Sequence, residues 1–210
     1  MFQYFPTNYV WNLTINIVLN TGGHMAEIDR ICRPLIEVSK QGDDQRTGQF
    51  FRAWVQMADK IAGFAARDEA AGHALTASAK YARASVYYLA AERMQHRNFP
   101  PRQSAYAKGV ATFRKAVELG QENCEFVEVP FEGTSYPALF VRAEGVDGPA
   151  PSMVFVNGLD SLKEMGYRSG MARDLARRGI SALFIDQPGT GLSIRERGLY
   201  GCHDSERWAA

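Results

Sequence analysis

The chain changes its hydrophobic period once. Over residues 6–120 the apolar positions recur at helical spacing. Asn8, Asn12, Asn16 and Asn20 stand four apart, so on a helix they form one narrow polar stripe, with Trp11, Leu13, Ile15, Ile17, Val18 and Leu19 around the rest. Leu13 to Ile17 also alternates as a strand would. The asparagine stripe is the longer pattern and Gly22-Gly23 supplies a stop, so a helix is predicted. A second helix is predicted from about Ala26 until Pro34, with Ile28, Ile31, Cys32 and Leu35 on its buried face. Residues 46–66 carry Phe50, Phe51, Trp54, Met57, Ile61 and Phe64 as one stripe. Residues 73–95 continue with Leu75, Tyr81, Val86, Tyr87, Leu89 and Met94 in an alanine-rich background of high helix propensity. Asn98-Phe99-Pro100-Pro101 breaks the run, and residues 103–119 form one more amphipathic helix ending at Gly120.

After Gly120 the runs become short, β-branched and aromatic. Glu125 to Val129 and Ala138 to Val141, separated by Pro130 and Gly133-Thr134-Ser135, read as a hairpin. Met153 to Val156 is a continuous apolar run between Pro151 and Asn157-Gly158, the pattern of a strand buried on both faces. Glu164 to Arg178 reads as a helix, Gly179 stops it, and Ile180 to Ile185 is a second buried strand. Strand, helix and strand with short connections make a βαβ crossover, hence a parallel pair. The fold class is α/β: a helical domain over 1–120, then the first strands of a sheet over 121–210.

Composition narrows the possibilities. A length of 210 residues with 46% hydrophobic and 22% charged residues excludes wholesale disorder and fibrous architectures. A net charge of +1 gives no reason to expect nucleic acid or an anionic membrane as partner. Cys32, Cys124 and Cys202 are far apart, which argues against a disulfide framework or zinc site and fits a reducing cytoplasm. The longest apolar stretch, Tyr9 to Leu19, is about half the ~20 residues of a membrane span. No basic segment precedes it and no small-residue cleavage site follows, so no secretory signal is expected.

Two loops carry candidate chemistry. Asn157-Gly158-Leu159-Asp160-Ser161 follows one strand, at the end where open α/β sheets bind ligands. Glycine there lets the backbone turn sharply and present N–H groups to a developing oxyanion. The same letters also describe an ordinary βα turn, with Asp160 or Ser161 as a helix cap. Asp186-Gln187-Pro188-Gly189-Thr190-Gly191-Leu192-Ser193 follows the next strand. It lacks the third glycine of a dinucleotide loop and the Lys-Ser/Thr of a P-loop, so a tight structural turn is expected. Cys202-His203-Asp204 spells a triad, but adjacent side chains diverge. His24, Glu27 and Asp29 share one helix start without a further ligand, so no metal is expected. His73 and His96 read as surface residues. The aromatics of 50–64 and 81–88 read as core, or else as the wall of an apolar substrate chamber.

Taken together, these residues resemble the α/β-hydrolase superfamily. Asn157-Gly158-Leu159-Asp160 lies at the position of its oxyanion loop, and Asp186-x-Pro-Gly-x-Gly-x-Ser193 is similar to the turn after its fourth core strand. Asn8-Tyr9-Val10-Trp11-Asn12, Gly22-Gly23, Glu27-Ile28-Asp29, Arg83 to Tyr88 and Asn157 to Glu164 resemble one branch of it. That branch has a helical N-terminal domain and includes 2,6-dihydroxypseudooxynicotine hydrolase, fungal polyketide-shortening hydrolases and fermentation-respiration-switch-like proteins. The resemblance implies hydrolysis of an ester, or of a C–C bond next to a carbonyl, through a Ser-His-Asp triad, with no cofactor. It also implies a small-molecule substrate. A homodimer is an open expectation. The backbone N–H of Leu159 or Asp160 would serve the oxyanion. Asn12, Asn16 and Trp11 would face the substrate, and Asn157, Gly158, Asp186, Gly189 and Gly191 would shape the loops.

The family's serine sits on a Gly-x-Ser-x-Gly elbow. No such motif occurs here: Gly191-Leu192-Ser193 runs into Ile194-Arg195, and Ser169 has no glycine two positions before it. The expectation is therefore an N-terminal portion of a hydrolase, inactive alone and with an exposed edge strand prone to aggregate. The alternative is a non-catalytic helical binding protein with a small α/β tail. A nucleotide-binding protein using Asp186 to Gly191 is the third reading.

Overall fold

A computed structural model describes residues 1–42 and 47–209. Arg46, where the third predicted helix was expected to begin, and Ala210 lie outside the described residues. The chain divides into two compact units, Met1–Glu122 and Asn123–Ala210.

The first unit is helical: α1 (Tyr9–Asn20), α2 (Met25–Cys32), a 3-10 turn (Arg33–Leu35), α3 (Ile36–Ser39), α4 (Thr47–Ala70), α5 (Ala74–Arg93) and α6 (Pro100–Gly120). The Asn8 side chain caps α1 through Trp11 N (2.9 Å). Pro34 converts the end of α2 into the 3-10 turn. Pro100 and Pro101 begin α6 instead of standing before it. A missing N–H costs nothing in a first helical turn, and φ is already set there. Leu75, predicted to be buried, is exposed in the first turn of α5. Its neighbours Ala77 and Tyr81 are the ones that reach the core.

An aromatic row runs through the core, Phe5, Trp11, Phe50, Trp54 and Tyr87, with ring centroids 4.9 to 5.7 Å apart. All five are fully buried, each worth about 1.5–3 kcal/mol or more of apolar transfer. Tyr87 closes a polar knot beneath it. Its hydroxyl donates to Glu27 Oε2 (2.5 Å) and accepts from His24 N (2.9 Å), while Arg83 Nε donates to the same Glu27 oxygen (3.2 Å).

Two further tethers cross three helices. Tyr81 OH and Lys115 Nζ both donate to Glu69 (2.7 and 2.6 Å), and Tyr88 OH and Lys108 Nζ both donate to Asp59 (2.5 and 2.7 Å). Each set joins α4, α5 and α6, and each lysine also lies over the ring of its tyrosine.

The second unit is a four-stranded mixed sheet, β1 (Glu125–Phe131), β2 (Thr134–Val141), β3 (Ser152–Val156) and β4 (Ser181–Ile185), in spatial order β1-β2-β4-β3. The predicted hairpin is β1–β2, antiparallel, with Pro130 accommodated on the outer strand. The predicted crossover is also present: β3 and β4 pair in parallel. The crossover helix is divided into α7 (Lys163–Arg168) and α8 (Met171–Ala176), because Gly170 takes φ 86° between them. Short helices α9 (Gly191–Arg195) and α10 (Glu206–Ala209) follow.

The expectation that Met153 to Val156 is buried on both faces is overturned. Val154 and Val156 are 60% and 58% exposed, because β3 stands at the sheet edge with β4 as its one strand neighbour among the described residues. Phe155 does reach a neighbour, stacking on Phe184 at 4.8 Å. On the hairpin side, Leu199 and Trp208 pack against Tyr136, Ala138 and Ile185. Arg197 donates to both Glu128 oxygens (2.8 and 2.7 Å) and to Ser135 O (2.6 Å).

Candidate active-site loops

The two loops picked out by sequence meet at the carboxyl ends of β3 and β4, and the side chain of Asp186 joins them. Its Oδ1 accepts from Asn157 Nδ2 (2.9 Å) and Lys163 N (2.9 Å). Its Oδ2 accepts from Lys163 Nζ (2.7 Å) and Leu192 N (2.9 Å). Lys163 opens α7 and Leu192 lies in the first turn of α9, so one carboxylate satisfies orphan donors at two helix starts. Gly191 is obligatory beside it. It takes φ 45°, and a Cβ there would lie 1.9 Å from Asp186 Cγ. Gly189 N donates to Leu199 O (2.8 Å), and Ser193 Oγ donates to Asp186 O (2.5 Å), which closes the loop on itself. The Asp186 carboxylate is engaged within the fold by its bonds to Asn157, Lys163 and Leu192.

The charges around Asp186 are buried: Lys163 is 3% exposed, Glu164 1% and Asp186 0%. Lys163 Nζ bridges Asp186 Oδ2 and Glu164 Oε1, each at 2.7 Å. Burial works against the Lys163 ammonium, but the facing carboxylates of Glu164 and Asp186 outweigh it and hold its pKa above the ordinary lysine value. Burial raises the Glu164 carboxyl, and repulsion from Asp186 adds to this against the pull of Lys163. Glu164 Oε2 has no hydrogen-bond partner among the described residues, consistent with a poorly solvated carboxylate.

Loop 157–162 is held at both ends. Asn157 N donates to Gln187 Oε1 (3.0 Å), Gln187 Nε2 returns a bond to Asn157 O (2.5 Å), and Asn157 Nδ2 also donates to Ile185 O (2.9 Å). Between the anchors, Ser161 N donates to Gly158 O (3.1 Å), which makes Gly158–Ser161 a β-turn with Leu159 and Asp160 at its centre. The Leu159 side chain is 91% exposed, and its N–H has no partner among the described residues. An open backbone donor at the carboxyl end of a β-strand can receive a substrate oxygen.

Asn12 and Asn16 are on α1 in the helical unit. Asn12 Oδ1 accepts from Tyr4 N and Phe5 N (both 2.8 Å) and its Nδ2 donates to Phe5 O (2.6 Å). Asn16 pairs with both backbone groups of Phe2 (3.0 and 2.8 Å). The asparagine stripe thus fastens the N-terminal segment along α1. Trp11 is fully buried against Phe5 and Phe50. Cys202-His203-Asp204 is no catalytic line: His203 Nδ1 is 3.9 Å from Asp204, and burial followed by Asp204 pushes the Cys202 thiol up, the reverse of an activated nucleophile. No group of three His, Cys, Asp or Glu residues suited to a metal occurs among the described residues. No helix among them is long and apolar enough to cross a membrane.

Gln187, Lys163 and Glu164 carry no signal as single residues in the sequence. A Lys-Glu pair at a helix start reads as a solvated surface, and the local sequence carries no sign that Asp186 draws the lysine inward.

Comparison with known proteins places these loops in a family. The description "Esterase FrsA-like" matches residues 44–199. Hydrolase LUC6 of a Fusarium species is 31% identical over 206 residues, covering 95% of this chain and 48% of the relative. The 2,6-dihydropseudooxynicotine hydrolase of Paenarthrobacter nicotinovorans is 28% identical over 156 residues, covering 74% of this chain and 41% of that protein. The crystal structure of a 2,6-dihydroxy-pseudo-oxynicotine hydrolase superposes with a TM-score of 0.67 at 23% identity, over 86% of this chain and 47% of the other, a likeness of fold. The chain spans about half the length of the curated relatives it matches. With a family match over most of its length and the paired loops in place, the chain belongs to the FrsA-like esterase family, a branch of the α/β-hydrolases.

Proposed function

We propose that this chain contributes the helical domain and the oxyanion-binding loop of a serine-type hydrolase. The substrate is an ester, or a compound with a C–C bond next to a carbonyl, of the kind that the name of the Paenarthrobacter relative indicates. The observation that carries the reading is the Gly158–Ser161 turn, anchored at both ends and presenting the unpartnered Leu159 N–H at the end of β3. Leu159 N–H, with Asp160 N–H beside it, would donate to the carbonyl oxygen as negative charge gathers there, an interaction of about 2.7–4 kcal/mol in the transition state. The nucleophilic serine, the acid and the histidine would come from residues beyond these 210, on the sheet continued past the open edge of β3. Asp186 holds the loops and does not touch the substrate.

Leu159→Pro in the complete enzyme is the sharp test, because it removes the N–H and leaves the exposed side chain's loss immaterial. Turnover should fall about 10²- to 10³-fold with the Michaelis constant little changed. Normal turnover in a normally folded variant would sink the assignment. A second reading, a non-catalytic helical binding protein, is separated from the first by labelling. It predicts that no protein containing this chain is labelled by a fluorophosphonate, which reacts with activated serines. The hydrolase reading predicts labelling of the complete enzyme and none of the 210-residue chain.

A further inference from the structure

We infer that Gln187 is a positioning residue for this turn, its carboxamide standing in for a missing rung of the sheet. The inference takes its catalytic meaning from the oxyanion reading above, but its geometry and its test do not depend on it.

The parallel ladder between β3 and β4 ends at the pair Val156 and Ile185. Beyond it the backbone of β4 turns away, since Asp186 N donates across the other side to Pro137 O of β2 (3.0 Å). Asn157 is left without a strand partner at the point where its chain leaves the sheet. The side-chain amide of Gln187 fills that position. It has the donor and acceptor of a peptide group, takes the Asn157 N–H on Oε1 (3.0 Å) and returns Nε2–H to Asn157 O (2.5 Å).

The two bonds reach two successive peptide units. Asn157 N belongs to the peptide before Asn157 and Asn157 O to the one after it, so both planes flanking its Cα are held. The next residue is Gly158, where an added Cβ would meet nothing within 4 Å. Without an anchor, a glycine hinge in open space lets the turn swing. Gln187 is itself fixed: it is buried, Thr190 N and Thr190 Oγ1 donate to its carbonyl oxygen (3.0 and 2.9 Å), and Thr190 Oγ1 also lies 3.3 Å from its Oε1. Its side-chain bonds go to backbone at the mouth of the loop, where they set direction.

The test is amide hydrogen exchange by NMR on the 210-residue chain and on two variants. Gln187→Leu removes both groups at similar size. Gln187→Glu keeps the acceptor, loses the donor and sets a carboxylate against Asn157 O. The decisive amide is Ser161, whose bond to Gly158 O closes the turn and which Gln187 does not touch. In both variants Ser161 should exchange at least about ten-fold faster, while Leu183 and Phe184 in β4 stay within about two-fold. The inference is overturned if Ser161 is unchanged when Asn157 loosens, because Gln187 then bonds without positioning. It is equally overturned if Ser161 and β4 accelerate together, because Gln187 is then a general stabiliser. Either failure leaves the oxyanion reading to be judged by Leu159→Pro turnover. Failure of that experiment leaves the exchange result intact.

Discussion

Replacing Lys163 by methionine removes the only cation bridging Glu164 and Asp186 among the described residues, with little change of volume. Lys163 Nζ lies 2.7 Å from an oxygen of each, and all three side chains are at most 4% exposed. At 2.7 Å and an effective dielectric of about 20, each attraction is worth about 6 kcal/mol, against several kcal/mol of lost hydration per ion. The two sides nearly cancel while the cluster is intact. Without the lysine, two carboxylates face each other in a dry site, and the expected cost is about 3–5 kcal/mol of unfolding free energy.

The sign of the pH dependence follows. A carboxyl whose folded-state pKa is raised is most favourable below its unfolded value, and its contribution is lost as pH rises through the folded value. Burial already raises Glu164, and loss of the ammonium raises it further. Relative to wild type, Lys163→Met should therefore recover stability on acidification from about pH 7.5 to about pH 5. Urea titrations followed by the amide resonances of Leu183 and Phe184 isolate the second unit. Lys163→Met/Glu164→Gln should regain part of the loss. A cost below about 1 kcal/mol at neutral pH, or a gap that widens with acid, would refute the argument that the lysine neutralises a buried pair.

Other expectations follow from the same geometry. Arg197, partly opposed by burial, holds the Glu128 carboxyl at about 2, so this ion pair contributes above about pH 4.5 and is lost as pH falls towards 2. Glu128 is half exposed, so acid titration of Glu128→Gln should lack no more than about 1 kcal/mol of the wild-type acid slope. Gly191→Ala should cost the second unit more than about 2 kcal/mol in urea, because the new Cβ displaces the Asp186 carboxylate. Gly133→Ala, also at positive φ but with nothing within 4 Å, should cost about 1–2 kcal/mol. Asn12→Ala leaves Tyr4 N and Phe5 N without a partner and Phe5 O with only its longer bond from Asn8 N (3.4 Å), and should destabilise the helical unit by about 2–3 kcal/mol, read from tryptophan fluorescence in urea.

The helices were legible because period is a property of the chain itself. The stripe from Phe50 to Phe64 needs no partner to be seen, and the polar stripe on α1 marks a helix in the same way. The strands were legible as elements, and Gly179 and the short connections gave the crossover. What could not be read was the pairing of β2 with β4 and which strand stands at the edge. An apolar run looks the same in the middle of a sheet and at its edge, so Met153 to Val156 was expected to be buried and is not. The same limit applies at the site. Asn157 and Asp186 stood out because asparagine, aspartate and glycine mark turns, whereas Lys163 and Gln187 are defined by residues about twenty and thirty positions away in sequence. The asparagines of α1 show the opposite case. Their spacing was visible, but what they hold, the backbone of Phe2, Tyr4 and Phe5, lies in a segment with no periodicity of its own.

The paired tethers of the helical unit have a mechanical consequence. Tyr81 and Tyr88 stand seven residues apart on α5, about 10.5 Å along its axis, and each pins α4 and α6 through a carboxylate and a lysine. Two bolts in a plate forbid rotation as well as sliding. A shear of α5 by one residue, about 1.5 Å, would displace both tyrosine hydroxyls from their carboxylates at once, so the three long helices resist sliding together. A pull on one end of α4 would then be felt at α6 with little loss. In a force spectroscopy trace, the helical unit should yield in one event, with the tethers giving way together.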